Sequence, residues 1–189
     1  INARFYAPGS FFWDQRAATL EDQVLMPIQD HVEMGMSLDT LVLKLDGLEY
    51  YDPLFEDAFG DAAVTSDRIS LALSQFIRSM VSYNAKFDEG MQSVQGPVNL
   101  ELTPFANYTD SENLGKQLFF STRTNCSTCH GTASFAAPGP RNNGLDLVYT
   151  DNGIGDVTGN PQDNALFKVN SLRNIELTPP YMHDGRFET

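Results

Sequence analysis

Cys126-Ser127-Thr128-Cys129-His130 holds both cysteines of this 189-residue chain and one of its three histidines. In a C-x-x-C-H run the two thiols can form thioether bonds to the vinyl groups of a haem, and the following histidine can reach the iron from one face. A redox dithiol or half of a zinc site would account for C-x-x-C equally well, but neither requires the adjacent histidine. A zinc site would also need further ligands, and beyond the run the chain offers no cysteine and only His31 and His183. Covalent haem attachment is the reading that uses every residue of the motif.

The rest of the composition bounds what such a chain can do. Its length allows one large domain or two small ones, and a hydrophobic fraction of 41% indicates a globular chain. Twelve basic against twenty-five acidic residues give a formal charge of −13. That field argues against nucleic acid, whose phosphates demand a basic patch. It would attract and orient a basic partner, although solubility alone accounts for it as well. No apolar run approaches the length of a membrane span, and no signal peptide opens the chain. Ile1 to Tyr6 already read as the middle of a folded domain, and Arg186 to Thr189 stop without a helix end. The expectation is a piece of a longer protein.

The first half is helical in pattern. Thr19-Leu20-Glu21-Asp22 resembles a helix start, with Val24, Leu25 and Ile28 on its buried face and Pro27 kinking or ending it. Ser37 can cap a second helix bearing Leu38, Leu41, Val42 and Leu45, and a third runs through Leu54, Phe55 and Ala58 to stop at Gly60. Ser66 is the expected cap of a fourth, whose stripe of Ile69, Leu73, Phe76 and Met80 reads as core. Between about Asp88 and Thr109 the pattern lapses into a connection rich in glycine and proline. Thr109-Asp110-Ser111-Glu112 has the form of a capping box opening a helix through Leu114, Leu118 and Phe119. A helix leading into C-x-x-C-H suits a small cytochrome domain. From Pro138 to Asn164 no period is sustained, and a loop of that length is functional or tied down by something bulky.

With the haem motif placed, other segments become readable together. Phe12-Trp13-Asp14-Gln15-Arg16-Ala17 resembles the F-W-D-G-R-A segment of bacterial di-haem cytochrome c peroxidases. Leu20-Glu21-Asp22-Gln23, Pro27-Ile28 and Val32-Glu33-Met34-Gly35 follow at that family's intervals. Phe167-Lys168-Val169, Ser171-Leu172-Arg173-Asn174-Ile175 and Pro180-Tyr181-Met182-His183-Asp184-Gly185 resemble its C-terminal signature. The resemblance implies a mainly α fold of two cytochrome c-like helical domains with long irregular loops. Residues 1–92 would be part of the N-terminal peroxidatic domain, and residues 93–189 a truncated C-terminal electron-transfer domain. The family carries two covalent c-type haems, and the single motif here matches the electron-transfer one. The peroxidatic motif would precede Ile1.

The same resemblance implies roles. Glu33 would shuttle a proton between the oxygens of hydrogen peroxide, the work of a general acid–base. Gln23 would hydrogen-bond peroxide at the same face, and Trp13 would relay an electron between haems. The bland alternative for Glu33 and Gln23 is a solvated helix surface, and for a lone tryptophan it is core. His31, at a position that is commonly not histidine in the family, reads as a surface residue. In the C-terminal domain Cys126, Cys129 and His130 would hold the haem, with His130 as proximal iron ligand. The opposite ligand, Met or Tyr, is implied several residues beyond Thr189, and Met182 is the candidate by chemistry within the chain. His183 would support the haem pocket. Calcium is implied between the domains, bound in part by backbone carbonyls matching Thr178 and Pro180. The expected function is periplasmic reduction of peroxide, with a small cytochrome or cupredoxin as donor and a homodimer compatible with it. A MauG-like oxidase acting on a partner protein and a plain mono-haem electron carrier are the alternatives.

Overall fold

Capping chemistry sets where the helices begin. In the computed structural model, which covers residues 1–189, the Thr19 hydroxyl accepts from the Asp22 N–H (3.0 Å) and the Asp22 carboxylate accepts from the Thr19 N–H (3.1 Å). This reciprocal box opens α1 (Leu20–Gln29), which buries Leu20, Val24 and Ile28. Pro27 falls in the last turn, and the helix ends two residues later. Ser37 accepts from the Thr40 N–H (3.2 Å) at the start of α2 (Leu38–Asp46). The third helix, α3 (Asp52–Phe59), closes on Gly60 at φ 90, a left-handed conformation that glycine adopts without steric cost. In α4 (Ser66–Ser79) the cap is Thr65, one residue before the expected Ser66, because Thr65 is the last residue with extended backbone. Phe55, Val64 and Ile69 form the core of this half, with Leu41, Val42 and Leu45 packed against them.

The expected apolar stripe of α4 is not core. Ile69 is buried, but Leu73, Phe76 and Met80 are 37%, 64% and 36% exposed. Helix α1 packs against α4, and the residues that α4 buries are Ile69 with the small Ser70 and Ser74.

The second half is assembled around aromatic rings. Helix α5 (Lys86–Ser93) takes up the start of the stretch expected to be a connection. Its Asp88 carboxylate accepts the Ala85 N–H at 2.8 Å, and Gly90 lets the ring of the fully buried Phe105 lie against the helix backbone. Although all but the last residue of α5 lies before residue 93, its long-range side-chain bonds run to the C-terminal half, Lys86 to Glu112 and Asp88 to Arg173. The expected box at Thr109 and Glu112 opens α6 (Asp110–Phe120). Lys116 is buried on this helix and donates to the carbonyls of Leu100 (2.6 Å) and Thr103 (2.7 Å), tying down the preceding loop. Five residues beyond α6 comes α7 (Cys126–His130). Residues 131–174 after it contain only α8 (Ile154–Thr158) and a 3₁₀ turn at Pro161–Asp163. Isolated bridges from Arg141 to Phe167 and from Gly153 to Leu166 pin it. The fold is mainly α, as expected, with isolated bridges in place of strands, and no helix is long and apolar enough to cross a membrane.

Candidate functional site

Three-residue spacing puts Cys126 and Cys129 on one face of the single turn of α7, and His130 follows directly. Asn125 enters this turn in the left-handed region (φ 59), where its side-chain oxygen accepts from the Thr128 hydroxyl at 2.5 Å. Both cysteines are free and half-buried. His130 Nδ1 lies 2.8 Å from the carbonyl oxygen of Phe135. A carbonyl can only accept, so Nδ1 carries the proton, and in the neutral imidazole Nε2 keeps the lone pair that can ligate a metal.

Cys129 and His130 line a cleft of about 880 Å³, roughly half of whose lining residues are hydrophobic. Trp13 and Phe11 contribute to it from the first half, Phe167, Met182 and His183 from the second. The two thiols on one helical face, the imidazole with a free Nε2 and a large, partly apolar cleft beside them fit a covalently attached haem. Cys126, Cys129 and His130 would hold it.

Two loops of the same shape meet at this cleft. Phe11-Phe12-Trp13-Asp14-Gln15-Arg16-Ala17 and Tyr181-Met182-His183-Asp184-Gly185-Arg186-Phe187 each close with a bridge between first and last residue. Each has left-handed backbone at its second and fifth positions (Phe12 and Gln15; Met182 and Gly185). Each also pairs its Asp with its Arg, at 3.0 Å for Asp14–Arg16 and 2.6 Å for Asp184–Arg186. A left-handed asparagine leading into a 3₁₀ turn precedes both, Asn2 before Ala3–Phe5 and Asn174 before Ile175–Leu177. Trp13 and His183 occupy equivalent positions, and their rings meet edge to face at 6.4 Å. His183 also stacks on Phe167 at 3.9 Å. The shared D-x-R register was the sequence signal for this repeat.

Lys168 anchors the first loop through its backbone. Its backbone N–H donates to the Trp13 carbonyl (2.8 Å), and its Nζ lies 4.5 Å from the centre of the Tyr6 ring and donates to Asn170 (2.5 Å). Burial pushes the Lys168 ammonium down to about 8.

The remaining expected site residues divide in two. Thr178, Pro180 and Met182 line the cleft, and the Met182 sulfur lies 3.7 Å from Asn143 Nδ2. The carbonyls of Thr178 and Pro180 accept no hydrogen bond from the chain, which leaves both oxygens available to a hard cation. No cluster of three His, Cys, Asp or Glu side chains accompanies them. Gln23 is half-buried on α1 and Glu33 is exposed on the turn after it, and neither lines the cleft. His31 is almost fully exposed.

The family model described as di-haem cytochrome c peroxidase matches residues 1–95. The chain is 34% identical over 178 residues to the cytochrome c551 peroxidase of Nitrosomonas europaea, covering 92% of this chain and 50% of that protein. It is 33% identical over 177 residues to the methylamine utilization protein MauG of Methylophilus methylotrophus, covering 93% and 50%. Among solved structures it is similar to a MauG-like protein associated with microbial copper homeostasis, with a TM-score of 0.79 at 29% identity, over 96% of this chain and 56% of that one. The chain spans about half the length of the curated relatives it matches.

Proposed function

The chain belongs to the di-haem cytochrome c peroxidase family, and on that premise we propose that the intact protein reduces hydrogen peroxide in the periplasm. Peroxide, two electrons from a small cytochrome or cupredoxin and two protons yield two waters. Residues 1–92 contribute to the peroxidatic domain, and residues 93–189 carry the electron-transfer haem. The observation that carries this reading is the Nδ1 bond of His130 to Phe135, which leaves Nε2 free in a residue that lines the same cleft as Cys129. Attached there, haem supplies one-electron redox chemistry at an iron ligated by His130.

The chain's own residues do the rest. Phe135 fixes the tautomer of His130. Trp13 offers an aromatic ring at the cleft edge, held by Lys168, on the route from one half to the other. Glu33, on a solvent-open turn, moves a proton from the attacked peroxide oxygen to the leaving one, and Gln23 orients the peroxide. Met182 would offer a thioether to the iron from within the chain, and the free carbonyls of Thr178 and Pro180 would offer oxygens to calcium.

A pyridine haemochrome spectrum and steady-state peroxide turnover with reduced donor test the proposal together. Glu33→Ala should lower turnover about a hundredfold, and a loss under about tenfold would remove Glu33 from the mechanism. The near-equal identity to MauG supports a second reading, oxidation of residues on a partner protein. Under that reading peroxide is consumed with the protein partner and not with a reduced cytochrome or cupredoxin.

A further inference from the structure

The carbonyl that fixes His130 is one of three held in a row. Ala133, Ser134 and Phe135 follow the C-x-x-C-H run, and their oxygens accept from three consecutive residues of a distant segment. Arg173 donates to the Ala133 oxygen from Nε (3.2 Å) and a terminal nitrogen (2.9 Å). The Ser171 hydroxyl donates to the Ser134 oxygen (2.5 Å), and the Leu172 N–H donates to the Phe135 oxygen (3.3 Å). Phe135 O therefore receives Leu172 and His130 together. Phe135 sits in the left-handed region (φ 54), which a phenylalanine rarely adopts unless its surroundings impose it. Its ring packs against Phe87 (4.9 Å) and Phe119 (5.8 Å), with the Arg173 guanidinium 5.4 Å from its centre. Arg173 is in turn anchored on α5 by both oxygens of Asp88, each at 2.7 Å.

We propose that Arg173 and Ser171 are positioning residues for His130. By clamping the 133–135 carbonyls they fix the oxygen that accepts the Nδ1–H hydrogen bond, and so set the basicity of the ligating Nε2. The proposal rests on the reading of His130 as proximal ligand of a covalent haem. An imidazole that donates firmly from Nδ1 is a stronger ligand through its other nitrogen. Stronger donation favours oxidised iron, so loosening the clamp raises the midpoint potential. Arg173→Lys keeps the cation and Ser171→Ala changes no charge, so neither shift can come from a lost charge.

Both variants are made in the haem-loaded protein. Haem attachment is read by pyridine haemochrome, His130 Nδ1 proton exchange by NMR, midpoint potential by spectroelectrochemical titration, and stability by thermal unfolding. The expected result is unchanged haem content and Nδ1 exchange faster by about tenfold in Arg173→Lys. Ser171→Ala should accelerate exchange less, and both should raise the potential. A lower unfolding temperature with unchanged exchange and potential would make the clamp purely structural and overturn the proposal. If Arg173→Lys fails to fold, Ser171→Ala decides alone. Absence of covalent haem from the unsubstituted protein would overturn the reading of the motif, and the positioning role with it.

Discussion

Replacing Asp88 by alanine orphans Arg173, and the structure sets the size of the effect. The carboxylate accepts two bonds from the guanidinium at 2.7 Å and the Ala85 N–H at 2.8 Å. The Asp88 and Arg173 side chains are 16% and 7% exposed. Breaking a fully buried pair from one side costs about 3–5 kcal/mol, because the remaining charge has no partner. Here the pair borders a cleft of about 530 Å³ that admits water to the orphaned guanidinium. We therefore expect a loss of about 2–3 kcal/mol, below the sealed-pair range. Urea unfolding of the haem-loaded protein at pH 7 measures it, and the double variant Asp88→Ala/Arg173→Met should recover about 1 kcal/mol by removing the orphan. The Arg173 bonds hold the Asp88 carboxyl below its ordinary 3.8. The unfolded chain thus takes up a proton first as pH falls. The contribution is fully present above about pH 4 and is lost as pH drops through the folded-state value. Wild type and variant should converge in acid. A loss below about 0.5 kcal/mol at pH 7, the range of exposed pairs, would refute the reasoning.

Gly90→Ala would place a Cβ 2.2 Å from Cδ2 of Phe105, a ring that is 1% exposed. Overpacking of about 3 kcal/mol should outweigh the gain in helix propensity of about 1 kcal/mol, for a net loss near 2 kcal/mol. An unchanged urea midpoint would show that Phe105 yields. Lys168, lowered to about 8 from 10.5, makes the folded state bind fewer protons than the unfolded chain between those values. Stability should rise with pH across that window, by at most about 1.4 kcal/mol per unit. Unfolding at pH 8 and 9.5 should show the rise flattened in Lys168→Met, and an equally steep rise there would assign it to another group.

What was legible in the sequence was local. The starts of α1, α2 and α6 could be read because a cap bonds within three residues of itself, and C-x-x-C-H could be read because its residues lie on one turn. Helix α5 was hidden because what holds it is distant. Gly90 lowers its propensity until Phe105 fills the space, and Asp88 finds its partner 85 residues away. The stripe on α4 shows the converse error, since a 3.6-residue period marks a face as apolar without saying what covers it. At the site, the acceptor for His130 is a backbone oxygen, a group that no residue type encodes.

The repeated loop changes how the two halves relate. A seven-residue turn with two left-handed positions is costly where those positions carry a Cβ, as at Phe12, Gln15 and Met182. The terminal bridge and the internal Asp–Arg pair offset that cost in both copies, which leaves the third residue, Trp13 or His183, at the cleft. The two rings then meet across the junction of the halves, and the Trp13 carbonyl is held by Lys168 of the opposite half. Helix α5 crosses the same division through Asp88 and Arg173, and Arg173 grips the loop that fixes His130. A boundary drawn at residue 92 therefore separates stretches of sequence and not the site. The wall that faces His130 is built from both sides of that boundary, so loosening either loop should be felt at one cleft.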